Sequence, residues 1–396
     1  MNWPEVELGD VAPAKASKRS FSKTDKVWLL NLDQVESETG RVLRKVFSTL
    51  SDAGSSTHGF DERHVLYSKL RPYLNKVVLP DGAGIATTEL VPMLPDDRRI
   101  DRKYLAAYLR SKVFVEWVSS QVAGAKMPRV SMQQFWKHRI PLPSLAEQKR
   151  IAAILDAADA LRAKRREALA QLDALIQSTF LDMFGDPVTN PKGWPQRALS
   201  EVFWLQEGPG VRNWQFKSSG IKLLNVANIL KTNELDLEKT DRHLDPGEVE
   251  LKYSHFLVDE GDLVIASSGI SIDDDGLLRT RAAFVRPEHL PLCMNTSTIR
   301  FKEVKGVSSL VFLQQWINSY EFRVQITQEV TGSAQKNFGP THLKRLKITL
   351  PPLNLQEQFA ERVEMIERQK AMSRSHLVQL GFLFASLQSR AFSGEL

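Results

Sequence analysis

The chain of 396 residues has one cysteine, Cys293. An internal disulfide is therefore excluded, and a reducing cytoplasm is the expected setting. With no paired histidine nearby, Cys293 reads as a small buried side chain rather than a nucleophile. No run approaches the roughly 20 apolar residues of a membrane-spanning helix, so no membrane partner is expected. The opening MNWPEVELGD lacks the basic and apolar regions of a signal peptide. Nucleotide-binding signatures are missing too: there is no Gly-x-Gly-x-x-Gly and no Walker A loop. The proline of Gly208-Pro209-Gly210 removes an amide that a phosphate cradle would use. The eight histidines show no ligand spacing, so no metal site is expected.

Other fragments of catalytic motifs are incomplete. Asn190-Pro191-Lys192-Gly193 lacks the second proline and the aromatic residue of an amino-methyltransferase site, and reads as a loop. Glu250-Leu251-Lys252 and Glu303-Val304-Lys305 have a nuclease-like Glu-x-Lys spacing without a clear upstream Pro-Asp. Asp273-Asp274-Asp275-Gly276 has no calcium-loop glutamate at the required distance and reads as a solvated turn. No catalytic residue is proposed from these motifs.

Charge is only mildly unbalanced, at +6 with a pI near 9.2, which permits a nucleic-acid partner without requiring one. Its distribution says more. Segment 147–184 carries six acidic and six basic residues, and segment 355–392 carries four and five, so most of the excess lies elsewhere.

The chain does contain an internal duplication. At an offset of 208 positions, residues 104–184 fall onto 312–392 without gaps: Ile140 on Ile348, Leu142-Pro143 on Leu350-Pro351, Gln148 on Gln356, Phe184 on Phe392. Gly124 meets Gly332. Upstream, Trp3-Pro4 with Leu8 and Val11 recurs as Trp194-Pro195 with Leu199 and Val202, and the segment after His64 recurs after Asp262. Flanks persist while the middle diverges. A period this long means two domain-sized copies rather than a solenoid.

Each copy mixes strands and helix, an α+β pattern. Val27–Leu30, Val65–Tyr67 and Lys76–Leu79 read as strands, and the spacing of Tyr104, Leu105, Tyr108, Leu109, Phe114, Trp117 and Val118 predicts one helix over 101–122. Pro141 and Pro143 interrupt regular structure. Ser144 with Glu147 then forms a capping-box pattern, opening a helix to Phe184 that Gly185-Asp186-Pro187 ends. At about 1.5 Å per residue it is a rod of roughly 55 Å. A second such helix follows Pro351-Pro352, over 355–392. A long helix with one apolar stripe needs a partner, and the economical arrangement pairs the two antiparallel as a coiled coil. Phe382 and Phe384 lie outside the main stripe and suggest a second buried face.

The run Leu142-Pro143-Ser144-Leu145-Ala146-Glu147-Gln148-Lys149-Arg150-Ile151, opening a long helix after a globular domain, resembles the conserved region of type I restriction-modification specificity (S, HsdS) subunits. Leu350-Pro351-Pro352-Leu353-Asn354-Leu355-Gln356 repeats it. Phe184-Gly185-Asp186-Pro187 with Asn190–Trp194 resembles the family's junction into its second reader. Thr331–Phe338 is similar to the glycine loop late in such readers, and Gly124–Val130 is a looser counterpart.

The resemblance implies two similar target-recognition domains (1–143 and 186–350), each reading half of a split double-stranded DNA site. Two long helices (144–185 and 351–396) would form the antiparallel coiled coil that sets the gap. It implies a non-catalytic subunit, cytoplasmic in a bacterium or archaeon, gripped along its helices by two methyltransferase subunits and joined by restriction-motor subunits. S-adenosylmethionine, ATP and magnesium would belong to those partners, none to this chain. Ile151, Leu155, Leu169, Leu172, Phe359, Val363, Leu380 and Leu383 are the expected subunit-binding positions.

Base edges are read by Arg, Lys, Asn and Gln, and phosphates are held by more general basic groups. The DNA-binding candidates are Lys69, Arg71, Lys126 and Arg129 in the first copy. In the second they are Ser268, Arg279, Arg281, Gln335, Lys336 and Asn337. Two other readings stay open: a coiled-coil adaptor that binds only protein, and a stand-alone DNA-cutting enzyme.

Overall fold

A computed structural model describes residues 3–22, 24–50, 56–124, 127–330 and 336–396. The chain divides into two compact units, residues 1–168 with 373–396, and residues 169–372. The division passes through both long helices, so each unit holds part of each. Both units are mixed α/β.

In the first unit a four-stranded sheet has the order Val46–Thr49, Lys26–Leu30, Gly84–Thr87, Thr57–Phe60. A three-stranded sheet runs Val77–Val78, Val65–Ser68, Leu90–Met93. Val65–Ser68 is buried along its whole length, as an apolar central strand should be. The second unit repeats the plan. A four-stranded sheet has the order Phe203–Glu207, Thr298–Glu303, Leu263–Ala266, Ala282–Phe284, and a three-stranded sheet joins His243–Leu244, Ile221–Leu224 and Leu292–Met294. Cys293 sits inside this last strand with no exposure. Burial pushes its thiol up to about 12, so it carries no thiolate at neutral pH.

The duplication is repeated in the hydrogen bonding. Glu5–Glu7 pairs antiparallel with Arg139–Pro141, Val6 opposite Ile140; Gln196–Ala198 pairs with Lys347–Thr349, Arg197 opposite Ile348. Pro141 thus ends a strand instead of merely breaking structure. The single helix expected over 101–122 is two, Arg102–Leu109 and Lys112–Ser120. Asp101 caps the first, and the Ser111 hydroxyl accepts the Phe114 amide to cap the second, so a local side-chain bond overrides an uninterrupted apolar period. The second unit does the same with Leu310–Ile317 and Tyr320–Glu329, where Ser319 accepts the Phe322 amide.

The long helices run Leu145–Phe184 and Leu353–Ser393. Ser144 accepts the Glu147 amide, but the Glu147 carboxylate pairs with Arg150. Gly185, at φ +79°, ends the first helix with its amide on Leu181 O. Lys192 donates to the freed carbonyls of Asp182 and Met183, a cation where the helix dipole favours one. Asn190 is spent on both the amide and the carbonyl of Trp194, in keeping with a loop.

Within the first unit the two helices contact antiparallel. Arg150 donates to Leu396 O at 2.7 Å, and the Arg162 guanidinium lies 4.6 Å from the Phe384 ring. Within the second, Phe180 and Phe184 meet Phe359 at 5.6 and 5.3 Å, and Lys370 pairs with Asp173 at 2.7 Å. Tyr104 packs on Phe392, and its counterpart Phe312 packs on Phe184.

One buried amide recurs at each helix start. Gln148 accepts from Asp101 N at 2.7 Å and donates to Arg99 O (3.0 Å) and Pro143 O (2.9 Å). Gln356 accepts from Ser309 N at 2.9 Å and donates to Val307 O (3.4 Å) and Pro351 O (2.8 Å). Neither side chain is exposed. Losing one would strand buried backbone groups at about 1–3 kcal/mol apiece. Gln148→Ala and Gln356→Ala, each leaving three such groups, should each lower stability by about 3 kcal/mol or more in urea unfolding. Gln148→Glu should be no milder, because it turns an oxygen toward two carbonyls.

Glu321 is also buried, accepting from the Trp316 indole, and desolvation raises its carboxyl to about 7. Raised above its unfolded value, it contributes stability in full below about pH 4.5 and loses it as pH rises through about 7. Thermal unfolding from pH 4.5 to 8 should show a decline that Glu321→Gln, which keeps the indole bond, flattens.

Candidate nucleic-acid interface

In the first unit, Val65–Ser68 ends at Lys69. The Lys69 amide donates to Glu89 O and its carbonyl accepts from Val130 N, both at 3.0 Å; Arg71 N donates to Pro128 O at 2.8 Å. These bonds lay residues 69–71 alongside 128–130, beside the Thr88–Glu89 turn. Lys69, Arg71 and Arg129 are thereby collected at one end of the unit. Arg71 is exposed and has a left-handed backbone (φ 49°) immediately before Pro72, an uncommon conformation for a residue with a side chain. Among the described residues neither Lys69 nor Arg71 enters an ion pair. Arg129 does: its guanidinium grips Glu89 at 2.9–3.1 Å. Glu89, which sequence reading passed over, holds Arg129 in place and offsets its charge.

The second unit builds the same joint. Leu263–Ala266 ends at Ser267, whose carbonyl accepts from Phe338 N at 3.0 Å. This is the Lys69–Val130 bond moved to the second copy. Ser268 then stands where Leu70 stands, and Gly269, at φ +60°, where Arg71 stands. Lys336 and exposed Asn337 immediately precede the anchored Phe338. Lys126 and Gln335 lie outside the described residues.

The two arginines of the divergent middle differ. Arg279 is exposed on the hairpin Ser271–Ile272/Leu278–Arg279, 3.7 Å from Asp273. Arg281 turns inward, donating to Ile229 O at 2.9 Å and Gly269 O at 3.3 Å, and burial lowers its pKa. It is half-buried and braces the Gly269 turn. Asp273 and Asp275 are clamped by Arg323 at 3.1 and 2.6 Å, and Glu303 caps the helix at Leu310 N. Both acidic motifs are committed to structure.

The helix positions also sort unevenly. Ile151 and Leu155 are buried in the first unit's core, Phe359 and Val363 in the second's, and Leu169, Leu172 and Leu380 are half-buried. The buried four are spent inside the chain and offer a partner no surface. The open apolar positions are Leu161, Val378, Phe382 and Leu383 in the first unit, and Leu175, Leu181, Met365 and Met372 in the second. Phe384 is covered by Arg162, whereas Phe382 is 74% exposed. Among the described residues no helix is long and apolar enough to cross a membrane.

A family model described as Type I restriction modification DNA specificity domain matches residues 67–171 and 191–379, one stretch falling largely in each unit. The EcoDI specificity subunit of Escherichia coli is 25% identical over 194 residues, 48% of this chain and 43% of that protein. The chain thus spans less than half the length of that relative. The MjaVIII specificity subunit of Methanocaldococcus jannaschii is 24% identical over 309 residues, 75% of this chain and 71% of that protein. Two solved structures share the fold. One is a chain from work on complex assembly and conformational transition of the type I R-M system, with TM-score 0.59, 18% identity, and 100% and 98% of the two chains covered. The other is the type I restriction-modification S subunit of M. genitalium, with TM-score 0.58, 13% identity, and 99% and 96% covered. With a duplicated reader-like unit and a family match that takes in most of its length, the chain belongs to the type I restriction modification DNA specificity domain family.

Proposed function

We propose that this chain is the DNA-reading, non-catalytic specificity subunit of a type I restriction-modification complex, and that it recognises a bipartite double-stranded target with one recognition domain per half-site. The observation that carries the reading is the joint found twice, strand exit to late loop, Lys69 O to Val130 N and Ser267 O to Phe338 N. The scaffold is held constant while the side chains on it differ, as two readers of two sequences require. Residues 1–143 and 186–350 act as the recognition domains, and 144–185 and 351–396 as the stems. Lys69, Arg71 and Arg129, with Lys126, serve the first half-site. Ser268, Arg279, Lys336 and Asn337, with Gln335, serve the second, and Arg281 acts through the Gly269 turn.

The stems form an antiparallel coiled coil whose length sets the gap between half-sites. Their open apolar positions receive two methyltransferase subunits. In the first unit a groove of about 740 Å³ lined by Leu161, Lys164, Arg165, His376, Leu380 and Leu383 supports that docking. Restriction-motor subunits join the assembly. S-adenosylmethionine, ATP and magnesium bind those partners, which carry the adenine methylation and the cleavage. The setting is the cytoplasm of a bacterium or archaeon.

Two outcomes are expected. Mapping modified bases in a host carrying this chain with its methyltransferase should yield one bipartite motif. Lys336→Ala with Asn337→Ala should relax one half of it and leave the other unchanged; a contiguous motif, or none, would overturn the reading. Deleting Arg165–Ala168 together with Ser375–Val378 removes about 6 Å of each helix. At 3.4 Å per base pair, the gap in the motif should shorten by about two base pairs while both halves persist.

A further inference from the structure

Between Asp10 and Asp25 the sequence has no acidic residue, and it carries Lys15, Lys18 and Arg19 in a short span. All three are exposed. Among the described residues none of them takes part in an ion pair. Yet the backbone leading to them is anchored at Lys15 and Ser17, and Arg19 N donates to the Ser17 hydroxyl at 3.3 Å. Lys15 N donates to Pro92 O and Ser17 N to Gly59 O, each at 2.9 Å. Buried His64 donates from Nε2 to Lys15 O at 2.8 Å and takes the Asp61 amide on Nδ1. The Ser17 hydroxyl donates to Asp61 at 2.8 Å. The Arg63 guanidinium beside Asp61, helped by Ser17, holds that carboxyl far below the usual carboxylate range, so the anchor persists at any physiological pH.

The direction of this strap follows from register. Ala14 lies opposite Met93 and Lys15 bonds to Pro92, so the chain runs antiparallel to Leu90–Met93. Lys15 lies near the Asp61 end of the neighbouring edge strand and Ser17 near Gly59, so Lys18 and Arg19 head toward Thr57, which pairs with Thr87. Both routes lead to the Thr88–Glu89 turn, where Lys69, Arg71 and Arg129 gather. Among the described residues near the strap, Asp61 is engaged by Arg63, Glu89 by Arg129 and Asp25 by Ser22, and Glu62 is exposed. In the second unit Pro209 and Gly210 stand where Lys18 and Arg19 stand, the offset being that of Leu205–Phe301 from Ala14–Met93.

We infer that the Lys15–Arg19 strap is a phosphate-binding rail. Lys18 and Arg19 hold the DNA backbone of the first half-site independently of sequence, and the aligned positions of the second unit, Pro209 and Gly210, carry no cation. This rests on the DNA-reading function proposed above. A backbone anchored at Lys15 and Ser17 that carries exposed cations without ion pairs suits phosphate contact, which positions the duplex but specifies no base.

The test compares the methyltransferase complex containing the wild-type chain with one containing Lys18→Ala and Arg19→Ala. Each is titrated against a 30-base-pair duplex carrying its methylated motif, and against a scrambled duplex, over a range of KCl. Each lost phosphate contact should reduce the slope of log affinity against log salt by about 0.9. The double variant should therefore lose affinity for both duplexes by the same factor. It should also lose about tenfold less affinity than wild type between 50 and 200 mM KCl, with the methylated motif unchanged. Lys18→Arg with Arg19→Lys should restore wild-type behaviour. An unchanged slope in a complex that binds DNA overturns the rail alone, as does an altered motif, which would make the strap a base reader. A wild-type complex that binds neither duplex overturns the DNA-reading function and the rail with it.

Discussion

Each long helix is joined to its globular domain through one fully buried amide. Gln148 and Gln356 satisfy one amide and two carbonyls apiece, and the three groups are equivalent in the two units: Asp101 and Ser309, Arg99 and Val307, Pro143 and Pro351. A carboxamide is the side chain that both donates and accepts at this length. Glutamate would meet the carbonyls with like partial charge, and methionine would leave all three groups unpaired. In a low-dielectric site such a network is stabilising only when complete. It fixes the direction in which a helix of some forty residues leaves its domain. Everything that depends on where the helix goes depends on this bond set.

The readers' conserved skeleton and their divergent loops divide the work. The bond from strand exit to late loop is main chain to main chain, so it survives replacement of Lys69 by Ser267 or of Val130 by Phe338. Side chains at the joint can therefore change without loosening it. The turn that follows requires a left-handed residue in both copies. Glycine provides it cheaply in the second. The first keeps arginine there, a conformation the backbone adopts at some cost, with Pro72 and the bond to Pro128 holding it.

Much of the plan was legible in the sequence because duplication doubles a weak signal. The offsets that align Ile140 with Ile348 and Trp3 with Trp194 reappear as strand register, and the limits of both long helices follow from apolar spacing, proline and glycine. Other features were hidden for identifiable reasons. The break at Arg110–Ser111 depends on a serine cap inside an unbroken apolar period. Arg281 and Arg279 look alike in sequence, and only tertiary packing turns one inward. Ile151, Leu155, Phe359 and Val363 carry the periodicity of a partner-seeking stripe, but the partner is their own unit. Lys18 and Arg19 left no motif, because their neighbours come from strands some forty to seventy residues away along the chain.

The first unit draws its last core pieces from the final stretch of the chain: Ala391 and Phe392 pack with Ile151, Leu155 and Tyr104. During synthesis at about 5–20 residues per second, Leu155 leaves the ribosome tens of seconds before Phe392. For that interval the first domain is a nearly finished structure with an open apolar seat, closed only once residues 391 and 392 have been made. The unit whose synthesis starts first thus waits for residues made after the whole of the second unit, and a polypeptide interrupted between residues 373 and 390 has all of the second unit but not the first.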